Sequence, residues 1–192
     1  MAVWVILGLI AYLRPNENMK LRRADLLKPI PSTKTWGLLI APSETGAVSK
    51  TNEQDDSVLL DNPSYLWLEP IFIAMKDGTR ELPLWDFDYS QVAAEIRNAS
   101  EAFQIADLYP YGLRHSGPSE DRARSVRTLE EIRKRGRWAS AKSVQRYEKA
   151  ARLAATYETY SAEFKVFSET CDRVIADVVL GKQSAPIWGG DA

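Results

Sequence analysis

The stretch Tyr111-Gly112-Leu113-Arg114-His115-Ser116 is followed by Arg135-Gly136-Arg137-Trp138 and then by Arg146-Tyr147-Glu148-Lys149, and these three segments decide how the rest of the chain is read. They bring an arginine, an aromatic residue with a ring N–H and a tyrosine into one ordered series. A guanidinium is fixed in charge and forked in shape, so it matches a pair of phosphate oxygens. A phenol becomes a nucleophile once its proton has somewhere to go.

The charge around these segments is uneven. The whole chain of 192 residues carries 25 Lys and Arg against 26 Asp and Glu, a net charge of −1, which is not the signature of a general nucleic-acid binder. Between Arg122 and Arg152, however, stand eleven basic residues and three glutamates, while acids collect at Glu53, Asp55 and Asp56 and at Asp86 and Asp88. A basic face on a near-neutral protein suits phosphate contact, and Arg133, Lys134, Arg135, Arg137, Lys142 and Arg146 are the candidates for it. Charge alone fits a solvated helix surface equally well. The single Cys171 excludes a disulfide framework and a cysteine zinc site, and is expected to be a buried packing residue in a reducing compartment. With His115 the sole histidine, soft metal ligands cannot cluster. A carboxylate magnesium site is left open, though nothing marks one.

Hydrophobic spacing predicts a mostly helical α+β chain of one domain with an appended tail. Val3 to Tyr12 reads as a buried helix, since Ala2–Leu13 is nearly all apolar yet shorter than the roughly 20 residues that span a bilayer. It lacks a basic lead-in, so it is not a signal peptide, and its abrupt start at Met1 predicts that something normally precedes it. Pro15 suits the first turn of a second helix running to about Leu21. Lys28–Thr35 is a loop. Trp36–Ile40 and Ser57–Leu60 are strands of a small antiparallel sheet whose connection carries Ser49-Lys50-Thr51. Helices are expected over Leu66–Met75, ended by Asp77-Gly78, and over Tyr89–Phe103, with Ser90 as cap and Val92, Ala93, Ile96, Ala99 and Phe103 on one face. Further helices are expected after Pro118, over Ser143–Tyr157, and over Ser161–Leu180. In the last of these Phe164, Phe167, Cys171, Val174, Ile175 and Val178 form a stripe. Ser184–Ala192 reads as a mobile tail.

Most of this chain resembles the catalytic domain of the tyrosine recombinase (phage integrase) family. Tyr12-Leu13-Arg14-Pro15-Asn16-Glu17, continuing through Leu21 to Ala24-Asp25-Leu26, is similar to that family's first box, an arginine at the turn into a helix with a glutamate three residues on. The resemblance makes Arg14 the first active-site arginine and Glu17 a residue that fixes the turn. The family's lysine on a β-hairpin corresponds to Lys50, with Lys76 as its rival. The second box, His-x-x-Arg-His in the family, stands here as Tyr111-x-x-Arg114-His115, making Arg114 the second arginine and His115 a supporting residue. Tyr111 is a departure: a phenol with an unperturbed pKa of about 10 is a poor base at neutral pH. Trp138 matches the position that holds His or Trp, and Tyr147 matches the nucleophile. Tyr157 and Tyr160 lack the offset from Trp138.

The resemblance implies site-specific DNA recombination or integration of the mobile-element kind, by an attack of Tyr147 that leaves a 3′-phosphotyrosyl bond. Arg14 and Arg114 would hold the phosphate, Trp138 would support it, and Lys50 would protonate the leaving oxygen. No cofactor is called for, neither metal nor ATP, because the ester energy is retained. It further implies double-stranded DNA as partner, a tetramer on that DNA, no membrane, and an intracellular location with the DNA in nucleus or nucleoid. Residues 1–160 would be the catalytic domain, without the family's N-terminal DNA-clamp domain, and 161–192 a C-terminal helix and tail able to dock on a neighbour. Two alternatives stand beside it: a decayed or domesticated domain that binds DNA without cutting it, and a helical interaction protein with no nucleic-acid role.

Overall fold

The computed structural model describes residues 1–40, 56–105, 108–148 and 150–189. Its architecture is mostly helical with one small antiparallel sheet, as the spacing predicts. The first helix, α1 (Ala2–Ile10), is apolar all round and lies at the centre, which is where such a helix must go. Trp4, Leu7 and Ile10 form one core with Leu26, Leu38, Ile40 and Val58 from the sheet, with Leu68 and Phe72, and with Val92.

Arg14 is extended, and Pro15 opens α2 (Pro15–Met19) at its first position. Two hydrogen bonds fasten this short helix to its surroundings. Asn18 Nδ2 donates to the Trp4 carbonyl at 2.8 Å and Trp85 Nε1 donates to the Asn18 carbonyl at 2.7 Å. The sheet has the order β1 (Leu26–Leu27), β2 (Gly37–Ile40), β3 (Asp56–Leu59), all antiparallel, with Leu38 opposite both Leu26 and Val58. The strand β1 was not expected; two residues leave no alternation to detect.

A 3₁₀ segment, Pro63–Leu68, leads into α3 (Glu69–Lys76), and Gly78, at φ 96°, turns the chain just beyond it. The helix α4 (Tyr89–Ala102) has the predicted inner face, but its cap is Asp88 rather than Ser90: the Asp88 carboxylate accepts the Gln91 N–H at 3.0 Å, and Ser90 donates to that carboxylate. Among the described residues, no helix is long and apolar enough to cross a membrane.

Three expectations are corrected in the second half. The helix expected after Pro118 begins five residues earlier, as α5 (Leu113–Ala123), with Pro118 buried inside it. The single helix expected over Ser143–Tyr157 is broken: 3₁₀ turns at Ala141–Ser143 and Gln145–Glu148 follow α6 (Leu129–Arg135) and precede α7 (Ala150–Glu158). Cys171, on α8 (Ala162–Val179), is only partly buried, as is the whole stripe around it.

Packing explains the first correction. Gly117 of α5 meets α1 so closely that a β-carbon there would lie 2.0 Å from the Leu9 carbonyl oxygen. That contact outweighs the one backbone bond lost at a helical proline. The stripe on α8 serves its own chain, because Phe164 and Phe167 pack on Phe103 and on Trp188, with ring centroids 5.1 to 6.0 Å apart. Trp188, within the segment read as a mobile tail, also meets Phe103 edge-on at 5.3 Å.

Candidate active site

Proline at the first position of α2 forces Arg14 into extended backbone, and Glu17 then closes the turn. One Glu17 oxygen accepts the Arg14 amide at 2.8 Å, and the other binds the Arg14 guanidinium. Two more guanidiniums reach the same carboxylate from far along the chain. Arg137 Nη2 donates to Glu17 Oε2 at 2.8 Å, and Arg114 Nη1 stands 3.8 Å from that oxygen. Asp56 Oδ2 lies 3.9 Å from Arg137 Nε, so among the described residues three guanidiniums face two carboxylates. Burial alone would raise the Glu17 carboxyl, but Arg137, the Arg14 amide and the charges of Arg14 and Arg114 outweigh it and hold the group below its usual range.

Arg114 is fully buried. Its Nη1 donates to the Tyr12 carbonyl and its Nη2 to the Gly136 carbonyl, just past the ends of α1 and α6. Helix ends leave carbonyls that no N–H of their own helix serves, and Arg114 satisfies two neighbouring ones. Burial, with Arg14 and Arg137 nearby, lowers its pKa from 12.5 to about 10, so it stays protonated at neutral pH. Its guanidinium lies 4.7 Å from the centre of the Trp138 ring, a cation–π contact.

Trp138 lies flat against Gly136, where any β-carbon would be 1.8 Å from the indole. It connects the arginines to the remaining residues. Its ring centroid is 5.6 Å from that of Tyr147 and 6.5 Å from the stacked ring of His115. Tyr147 is held by a small satellite core of Tyr12, Ile132 and Val144, with Leu129 and Trp138 against it. Its 3₁₀ turn explains this, since residues three apart eclipse and Val144 and Tyr147 therefore point the same way. Burial pushes the Tyr147 phenol up to about 12. Its hydroxyl lies 2.7 Å from His115 Nδ1. Tyr111, exposed, meets His115 edge-on at 5.3 Å. An unbroken series of contacts thus runs from Arg14 through Glu17, Arg114, Trp138, Tyr147 and His115 to Tyr111.

Lys50 lies outside the described residues. Its rival Lys76 donates to the Arg23 carbonyl at 3.2 Å, and its charged neighbours are Arg80, Lys28 and Asp25, none of them in the arginine cluster. The expected basic face is sorted by the fold. Arg135 and Arg137 turn inward: Arg135 donates to the Ile10 carbonyl and pairs with Asp61 at 3.1 Å, while Arg137 holds Glu17. Arg133 is held by Glu130 and by the Trp138 carbonyl, and Lys134 is exposed beside Glu130. Lys142 and Arg146 are exposed, and the Arg146 guanidinium lies 6.0 Å from the Tyr147 ring centre.

Two features escaped the sequence. One is Arg137 as third member of the cluster; its signal is the Gly136 before it, which lets the chain fold back with Arg137 at φ 54°. The other is a network running from the interior to the surface, in which buried Tyr12 donates to buried Asp121, Arg127 bridges Asp121 and exposed Asp61, and Arg135 also meets Asp61. No family model, curated protein or solved structure matches the chain.

Proposed function

We propose that this chain is a catalytic domain of the tyrosine recombinase type, cutting and rejoining double-stranded DNA through a 3′-phosphotyrosyl intermediate. The observation that carries this reading is the contiguity of Arg14, Arg114, Trp138 and Tyr147. They are spread over more than a hundred residues of chain, yet they are joined side chain to side chain with Glu17 as the link between the two arginines.

The excess of positive charge among the described residues of this cluster, in a poorly hydrated setting, favours a phosphate whose oxygens gain charge in the transition state. Tyr147 attacks phosphorus, the bond to the 5′-oxygen breaks, and Lys50 is assigned the proton for that oxygen. The phosphotyrosyl ester keeps the energy needed to rejoin the strand. Exposed Lys142 and Arg146 supply backbone contact beside the tyrosine. A tetramer on DNA, working in the nucleus or nucleoid, belongs to the same proposal.

A nicked suicide substrate tests it. The wild type is expected to accumulate a covalent protein–DNA adduct and Tyr147→Phe to form none. A wild type that forms no adduct under conditions where it retains the DNA refutes cutting. That result would favour a second reading, a module that grips DNA without cutting it. Two observations support the second reading: both terminal nitrogens of Arg114 are committed to carbonyls, and Tyr111 stands where the family has a histidine.

A further inference from the structure

The reaction proposed above needs a group that takes the Tyr147 proton, and Tyr111, itself a phenol, is a poor one. We propose that His115, the single histidine of the chain, accepts that proton through Nδ1. The assignment rests on the phosphotyrosyl reading and names a residue which that reading leaves as mere support.

The geometry carries it. His115 Nδ1 lies 2.7 Å from the Tyr147 hydroxyl, within reach for direct transfer. The imidazole is clamped, with the Tyr111 ring edge-on at 5.3 Å and the Trp138 ring stacked at 6.5 Å and 22°. Its backbone belongs to α5, next to Arg114. Among the described residues, the charged and titratable groups around it are Arg114 on its own helix, Arg146 and Tyr147 on the 3₁₀ turn, and Tyr111 on the turn before α5. Among these there is no carboxylate to hold the imidazole protonated. Burial first, then Arg146 and Arg114, lower its pKa below 6.5. At neutral pH the ring is therefore uncharged and one nitrogen is free to accept.

The transfer has a defined course. As the bond from Tyr147 Oη to phosphorus forms, the phosphorus–O5′ bond breaks. The phenol proton passes to Nδ1, and the 5′-oxygen leaves with a proton from an ammonium donor, the role given to Lys50. In rejoining, the 5′-hydroxyl attacks phosphorus and returns its proton to the amine, the bond from phosphorus to Tyr147 Oη breaks, and the departing phenolate recovers its proton from the imidazolium. The phenol is far the weaker acid in the resting state, so proton transfer accompanies bond formation and does not precede it. A nearby imidazolium would also compensate the negative charge gathering at phosphorus.

A single histidine makes the test direct. In a long-range ¹H–¹⁵N spectrum at pH 7.5, His115 is expected as the neutral tautomer protonated at Nε2, with its Nδ1 resonance shifted in Tyr147→Phe. A proton found on Nδ1 would make the ring a donor to the phenol and overturn the assignment, whatever the activity. On the suicide substrate, His115→Asn keeps a polar acceptor but no base. It is expected to slow adduct formation by about 10²- to 10⁴-fold with DNA retention unchanged. The wild-type rate should fall as pH drops through the histidine pKa, and the variant should lose that limb. An adduct formed by His115→Asn at the wild-type rate and with the wild-type profile overturns this assignment alone. A wild type that forms no adduct overturns the phosphotyrosyl reading and this assignment with it.

Discussion

Glu17 gathers charge from three directions, and its single carboxylate keeps Arg14, Arg114 and Arg137 from repelling one another apart. Removing one partner of a buried ionic group costs far more than the group contributes, because charge is left uncompensated. Glu17→Gln is therefore expected to lower stability by about 3 kcal/mol, read from urea unfolding at pH 7. The pH dependence has a definite sign. The folded carboxyl lies below its usual 4.5, so its contribution is complete above that pH and is lost as pH falls through the folded value. The gap between wild type and variant should thus close on the acid side, and a gap that stays constant from pH 7 to pH 3 would contradict this account. The sequence made Arg14, Arg114, Trp138 and Tyr147 visible because each side chain type announces its chemistry. It could not make Arg137 visible as their companion, since among many arginines only the backbone turn at Gly136 separates an inward one from a surface one.

Helices α1 and α5 cross at Gly117, and the whole site depends on that approach. The crossing brings Arg114 to the Tyr12 carbonyl and sets Tyr12 against Asp121. Gly117→Ala puts a methyl group 2.0 Å from the Leu9 carbonyl oxygen and 2.9 Å from the Tyr12 ring. The helices must separate, at a cost of about 3 kcal/mol or more, with loss of whatever activity the arginines support. A Gly117→Ala protein of wild-type stability would mean that the two helices do not cross this closely. Element types were legible where a period ran long enough: α1, α4 and α8 lie within about two residues of expectation. Around Pro118 and Tyr147 local rules failed, because a glycine contact 108 residues away in sequence and a shared satellite core set the backbone there. Neither has a local signature.

Across the whole molecule, the basic residues divide into those that hold the protein together and those free to meet a polyanion. Reversing Lys142 and Arg146 to Glu should leave the urea midpoint unchanged, weaken DNA retention and flatten its dependence on salt by about one unit of slope per lost phosphate contact. Reversing Arg135 should instead unfold the protein, since it caps the Ile10 carbonyl and pairs with Asp61. If both sets acted alike, in either direction, this division would be wrong. The same division explains why a count of basic residues overstated the candidate DNA face. The C-terminal segment from Ser161 was legible as a helix but not in its partner: Phe164 and Phe167 found Trp188, a residue beyond the last recognisable period.

The bonds made by Arg114 bear on how a copy of this chain would age if nothing preserved its chemistry. Because that side chain ties the ends of two helices together, drift would strip away the phenol at 147 or the imidazole at 115 long before it could tolerate a change at 114. An intact Arg114 in a sister sequence therefore testifies only that it still folds; under the proposed phosphotyrosyl chemistry, positions 115 and 147 are the ones that would report on cutting.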